Sequence, residues 1–192
     1  MKRQLQISYK IIKKYKNAHA SNTKPTSSDE WLLDNFYIIN QETVSLYEQI
    51  DRVPKREIRG FKRDTYIVLL AGKFLKKNEL RLTLPELVKF LKKEQEKNPL
   101  KIAELWFFPS AVRIALISEI AALCKKGGAP AKMANAIKSL IAVRDINWKE
   151  EFERLCPVDG ILNKDKHYQL MNFETKQLYR KAVTRIAHIR FS

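Results

Sequence analysis

Side chains able to do acid–base, metal or nucleophilic chemistry are present in this chain, but their spacing points to structural work. The three histidines, His19, His167 and His188, are far apart, and none stands four residues from another as a zinc pair on one helix face would. Glu150, Glu151 and Glu153 fall in one expected first turn, where carboxylates favour the positive end of the helix dipole. Glu94 and Glu96 alternate with lysines, as on a solvated face. No two aspartates lie two residues apart, a spacing with which nucleotide-sugar transferases commonly hold a divalent metal. The glycines, Gly60, Gly72, Gly127, Gly128 and Gly160, build no phosphate-cradling loop, and there is no Gly-x-Ser-x-Gly turn. Arg144, Asp145 and Asn147 form a polar knot before Trp148, of the kind a helix junction needs for its free backbone groups. Cys124 and Cys156 sit among apolar residues at helical spacing and read as reduced core residues. The expectation is a protein with no catalytic residue, no cofactor, no metal and no small-molecule substrate.

What remains as a candidate for function is charge and apolar surface. Among 192 residues, Lys plus Arg number 37 and Asp plus Glu 21, a net charge of +16. Such a surplus attracts polyanions: nucleic acid, anionic lipid headgroups or acidic proteins. Residues 1–26 hold Lys2, Arg3, Lys10, Lys13, Lys14, Lys16 and Lys24 and no acid. Lys10, Lys13, Lys14 and Lys16 are the candidate polyanion contacts. Ile7, Ile11 and Ile12, with Tyr15, fall on one helical face of this arm. The arm reads as a short cationic amphipathic helix that touches anionic lipid or, as its small apolar face favours, folds back on the body. The Lys-Lys pairs 13–14, 76–77, 92–93 and 125–126 could meet phosphates, but three of the four lie near expected helix C-termini, where cations are favoured anyway. No zinc-finger, RNA-recognition-strand or KH signature appears.

The elements that position these residues are all helical. Ser27-Ser-Asp-Glu30 reads as a capping box, followed by a stripe of Leu32, Phe36, Ile39, Thr43, Leu46 and Ile50. Arg52 to Arg63 is basic and turn-like, and a helix is expected over about 64–77. Thr83-Leu-Pro-Glu86 caps the next, with Val88, Phe90 and Leu91 inward. Lys125-Lys-Gly-Gly128 stops a long apolar helix, and Met133, Ile137, Leu140 and Ile141 give another stripe. Asn147-Trp-Lys-Glu150 reads as a third capping box, and a last helix runs from Phe173 to about Ile189 with Leu178, Ala182, Ile186 and Ile189 inward. No stretch alternates with period two, so the fold class is all-α, a bundle or array of about seven or eight helices. The expected organisation is a basic arm over residues 1–26 and one helical domain over 27–192.

The stretch Ile102 to Cys124 is long enough to span a bilayer, but Arg113 near its centre would cost about 2.5–3.5 kcal/mol there, so it reads as a buried helix. Leu105, Trp106, Phe107 and Phe108 are consecutive and point all round it, with Val112 and Leu116 on one face. These six residues are the candidate interface, for a second copy or another partner. The competing expectation is that the arm covers them through Ile7, Ile11 and Tyr15.

Three stretches, in order, carry a resemblance: Glu30-Trp-Leu-Leu-Asp-Asn-Phe-Tyr-Ile-Ile39, Pro99-Leu-Lys-Ile-Ala-Glu-Leu-Trp-Phe-Phe-Pro109 with Arg113-Ile-Ala-Leu-Ile-Ser-Glu119, and Ala134-Asn-Ala-Ile-Lys-Ser-Leu140 with Ile146-Asn-Trp-Lys-Glu-Glu-Phe-Glu153. Val158-Asp-Gly-Ile-Leu162 and the run from Met171 to Ala182 continue it. From about Asn22 onward the chain resembles the N-terminal region of cyclic β-1,2-glucan synthases, large inner-membrane enzymes that build and cyclise glucan from UDP-glucose. The family's transferase carboxylates, metal-holding residues and phosphorylase-like domain have no counterparts here. Gly127-Gly-Ala-Pro130 also stands where the family has a longer helical stretch. The resemblance therefore implies a shortened, detached, non-catalytic module, cytoplasmic or peripheral at the inner membrane. Its partner would be a membrane-bound glucan synthase or a second copy. A basic nucleic-acid-binding protein and a remnant without a role of its own are the alternative readings.

Overall fold

The computed structural model describes residues 1–52, 64–127 and 129–190. The basic segment 53–63 with Gly60, and Gly128, lie outside the described residues. Among the described residues there are ten helices, eight of them seven residues or longer, and no strand. They are α1 (Lys2–His19), α2 (Ser27–Arg52), α3 (Asp64–Lys77), α4 (Leu84–Lys97), α5 (Ile102–Lys126), α6 (Pro130–Asp145), α7 (Trp148–Leu155), α8 (Pro157–Leu162), α9 (Lys166–Gln169) and α10 (Phe173–Arg190). The all-α expectation is met.

The chain forms two compact units: Met1–Leu87 with Trp106–Ile146, and Val88–Leu105 with Asn147–Ser192. This division differs from the expected boundary at residue 26, because α1 belongs to the first unit. There α1 packs along α2, and α2 along α6. Side-chain bonds run in opposite order along α1 and α2: Lys2 Nζ meets Asp51 Oδ1 at 2.6 Å, Tyr9 donates to Asn40, and Tyr15 donates to Asp29 Oδ1 at 2.7 Å. The two helices are therefore an antiparallel hairpin.

Local signals set most helix ends. Thr26, one residue before the expected cap, opens α2: the backbone N of Asp29 donates to Thr26 Oγ1, while Thr26 N donates back to Asp29 Oδ2 at 2.8 Å. Burial alone would raise the Asp29 pKa, but the bonds from Tyr15 and Thr26 more than offset it and hold the carboxyl below its ordinary value. Thr83 and Glu86 do meet, but through a bond between their side chains, Thr83 Oγ1 donating to Glu86 Oε2 at 2.6 Å, rather than through the side-chain-to-amide bonds that the sequence predicts. Asn147 stands at the N-cap of α7 but makes no side-chain cap bond, so the third capping box does not form. Gly127, at φ +79°, ends α5 in the left-handed conformation that glycine adopts without strain. Between α3 and α4, Glu79 (φ 51°) and Leu80 (φ 61°) are left-handed without being glycine, at about 1–2 kcal/mol each. Ser139 of α6 holds this corner: its Oγ donates to Leu80 O at 2.8 Å and accepts from Leu82 N at 2.9 Å.

The core of the first unit gathers round α5. Ala111, Val112, Ile114, Leu116, Ile117 and Ile120 are all buried, although they point in every direction round the helix. By length and composition α5 could cross a membrane, yet 72% of its apolar window is buried inside the fold. The α2 stripe faces inward as expected, with Phe36 half-buried, and Glu42 is buried beside it. Leu87 and Leu91 are the buried residues of α4, while Val88 and Phe90 are only half-buried; Ile141 of α6 is exposed.

The arm covers part of α5, but with a different face from the one expected. Leu5, Ser8 and Ile12 are buried, whereas Ile7 is 52% exposed and Ile11 and Tyr15 are half-buried. Gln4 Nε2 and Ser8 Oγ both reach Ser118 Oγ on α5, at 3.2 and 3.3 Å. Positions 5, 8 and 12 are one helical row, and Ile7 lies off it. Ile12→Ala is therefore expected to lower stability by about 2–4 kcal/mol and Ile7→Ala by about 0.5 kcal/mol or less. Urea unfolding followed by circular dichroism checks this; equal losses at the two positions would contradict the packing.

Candidate functional site

The candidate polyanion contacts sit on α1 opposite its buried row. Lys10, Lys13 and Lys14 are exposed. Lys16 departs from them: it is half-buried, with Nζ 5.1 Å above the Phe36 ring, a cation–π contact that ties it to α2. Three of the four candidate contacts thus face solvent.

The candidate interface on α5 needs correcting. Leu105, Phe107, Phe108, Val112 and Leu116 are buried, and Trp106 is half-buried. Side chains already desolvated within the chain have no apolar surface left to give a partner. The structure follows the competing expectation that the arm folds back, with its Leu5 and Ile12 buried.

Two buried charge clusters were not foreseen. In the first unit Arg113 Nη1 meets Glu42 Oε2 at 2.8 Å and its Nη2 donates to Gln49. Ser110 Oγ donates to Gln49 Oε1 at 2.9 Å, and Arg144 Nε stands 3.6 Å from Glu42 Oε1. One carboxylate thereby ties α2, α5 and α6 together, and the Arg144 knot takes part in the junction.

In the second unit the last helix is turned round from expectation. Leu178, Ala182 and Ile186 of α10 are exposed, and Lys176 and Arg180 are buried in their place; the Ile189 side chain lies outside the described residues. Arg180 is 1% exposed. Its Nε donates to both oxygens of Asp159, at 3.0 and 2.8 Å, and its Nη2 to Glu153 Oε1 at 3.2 Å. Its guanidinium carbon lies 5.1 Å from the ring centroids of Phe152 and Phe173. Lys176 Nζ donates to the other oxygen of Glu153 at 3.0 Å, and Tyr168 donates to Asp159. Two acids from α7 and α8 thus fix two cations four residues apart on α10. Lys176 and Arg180 share one helix row, and Glu153 and Asp159 lie in an acid-rich stretch, residues 149–159, that holds four acids against two bases; that complementarity was the available signal.

Arg180 Nη1 is buried without a hydrogen-bond partner among the described residues, so the cluster is paired but not fully satisfied. Burial would lower the Arg180 pKa, but the hydrogen bond and charge of Asp159 raise it overall. Burial, and then the bond to Asp159, raise Tyr168 well above the ordinary phenol range. Burial lifts Cys156 to about 11 and, in the first unit, Cys124 to about 12, so both thiols are held neutral and weakly nucleophilic. Both cysteines are free, as expected.

A shallow surface recess of about 340 Å³ is lined by Glu30, Trp31, Asp34 and Asn35 on the first turns of α2. The Asn35 amide is engaged by Trp31 O at 2.9 Å, and Lys138 Nζ lies 5.2 Å over the indole. Glu30, in the first turn of α2, suits the positive end of the helix dipole. Among the described residues no group of three or more His, Cys, Asp or Glu side chains could hold a metal ion. No family model, no curated protein and no solved structure matches this chain.

The Asp159–Arg180 pair generates a stability prediction. Asp159→Asn leaves the buried guanidinium without its strongest partner and should destabilise the second unit by about 3–5 kcal/mol, while joint replacement by Leu and Met should recover most of the loss. Urea titration read at Trp148 decides; a neutral Asp159→Asn would remove the pair from the account. Stability should also fall as pH rises from about 9 to about 11. The unfolded chain then releases the Cys156 proton from its ordinary value of 9.0 while the folded chain keeps it up to about 11. Cys156→Ala should flatten that slope.

Proposed function

We propose that this chain is a non-enzymatic helical interaction module that works by docking rather than by turnover. The observation that carries the reading is the exposed row of Lys10, Lys13 and Lys14 on a helix whose opposite face is buried in the body. A fixed helix presents these cations as one surface, without the entropy loss that ordering a flexible tail would add. The buried polar clusters support the same reading, because their carboxylates and cations are engaged with one another and tie helices together. The resemblance to the N-terminal region of cyclic β-1,2-glucan synthases supplies the partner: a membrane-bound glucan synthase, met from the cytoplasmic side. The surface charge adds weak, non-specific attraction to polyanions.

Two measurements test this. Purified protein with UDP-glucose and Mg²⁺ or Mn²⁺ should release no UDP and form no glucan; turnover above background would overturn the reading. Binding to random-sequence DNA should weaken linearly in log affinity against log salt, by about 0.9 per phosphate met, and K10E/K13E/K14E should reduce that slope by about 2–3. A sequence-selective complex about a thousandfold tighter than random DNA at physiological salt would instead make the chain a nucleic-acid reader.

A further inference from the structure

The second unit exposes the apolar side of its longest helix. On α10, Leu178, Ala182 and Ile186 are four residues apart and form one line, with Tyr179 and Val183 in the line beside it. Leu178 is 65% and Ile186 57% exposed, and Tyr179 and Val183 are exposed as well. The Asp159–Glu153 cluster imposes this orientation by holding Lys176 and Arg180 inward. Leu170 and Ile161 in the same unit are also exposed, at 86% and 68%. Soluble surfaces seldom leave so many large apolar side chains along one helix without an occupant.

Charge decides what that occupant is. On the other flank of the Leu178 line stand Lys181 and Arg185, one turn apart, exposed and with no acid partner among the described residues. From Thr175 to Arg190 the helix carries no acid at all. A second copy would bring its own +16 and the same cations to the contact, which is repulsive. Nucleic acid would answer the cations but offers little to Leu178, Val183 and Ile186. An apolar line flanked by free cations, on a helix held by its opposite face, fits a partner that is anionic at its surface and apolar beneath. We infer that α10 docks on an anionic lipid bilayer, lying in the interface with Leu178, Val183 and Ile186 inserted and Lys181 and Arg185 at the headgroups. This inference rests neither on the cations of α1 nor on the resemblance to the synthases, so either can fail without the other.

The test uses the full chain and sedimentation with vesicles of phosphatidylcholine containing about one-third phosphatidylserine, against phosphatidylcholine alone, at about 0.1 M salt. The expected result is binding to the anionic vesicles only. L178E/I186E changes two exposed positions, with folding checked by helicity and urea midpoint. It should weaken partitioning at least about tenfold. K181E/R185E should also weaken it, whereas K10E/K13E/K14E should keep most of it. In V183W, added vesicles should shift the tryptophan emission to the blue relative to the unsubstituted chain. Failure of the full chain to bind anionic vesicles, equal binding to neutral ones, unchanged binding by L178E/I186E, or an unshifted emission would each overturn the proposal. A dimer seen by light scattering that L178E/I186E dissociates would overturn it too, by showing a second copy in that place.

Discussion

The first unit is organised by a single constraint: α5 is apolar on every side and must be kept from water on every side. Its neighbours follow from that demand. The α2 stripe meets it, Met133, Ile137 and Leu140 give α6 an inward row, and the arm lays Leu5 and Ile12 into the core. Full enclosure brings a penalty for any charge on α5, and Arg113 is the one it carries at its centre. Glu42 and Gln49 on α2 answer it. The same pairing that makes Arg113 tolerable orients three helices, since a buried guanidinium leaves its partners little freedom to slide.

The second unit solves the opposite problem. Its last helix has an apolar face that would ordinarily seek the core, yet two carboxylates hold its cationic row there. A forked bond from Arg180 Nε to both oxygens of Asp159, the rings of Phe152 and Phe173 close to the guanidinium, and a second carboxylate shared with Lys176 supply most of the compensation that burying a charge demands. The outcome separates the chain's cations into two groups. Arg113, Lys176 and Arg180 act inside the fold, whereas Lys10, Lys13, Lys14, Lys181 and Arg185 face outward. Net charge alone does not distinguish them.

Much of the fold was legible because it rests on local rules. The α3 helix and the glycine stop after α5 each follow from residues within a few positions of one another. The errors share a cause. Periodicity says that a helix has an apolar side but not that this side is the one buried, and α10 is the case where the rule inverts. The burial of Asp29 and Glu42 was not legible, because the partners they meet, Tyr15, Arg113 and Arg144, lie well away from them in sequence. The arm's inward row was misplaced because Ile7, Ile11 and Ile12 outweigh Leu5 and Ser8 in hydrophobicity, though not in fit to Ser118. The acid-free stretch of α1 needs no tertiary knowledge to be recognised, but which of its lysines face outward does: Lys10, Lys13 and Lys14 are exposed, whereas Lys16 packs on Phe36.

The corner at Glu79 and Leu80 bears on the order in which the molecule assembles. Two consecutive left-handed residues without glycine are unfavourable in an isolated α3–α4 segment, so the two helices can form early while the angle between them stays undecided. What closes the corner is Ser139, whose bond to Leu82 spans 57 positions of chain. That contact requires α6 to have arrived, and bringing distant segments together is the slow part of folding. The bend is thus a latch that sets only after the rest of the first unit has gathered.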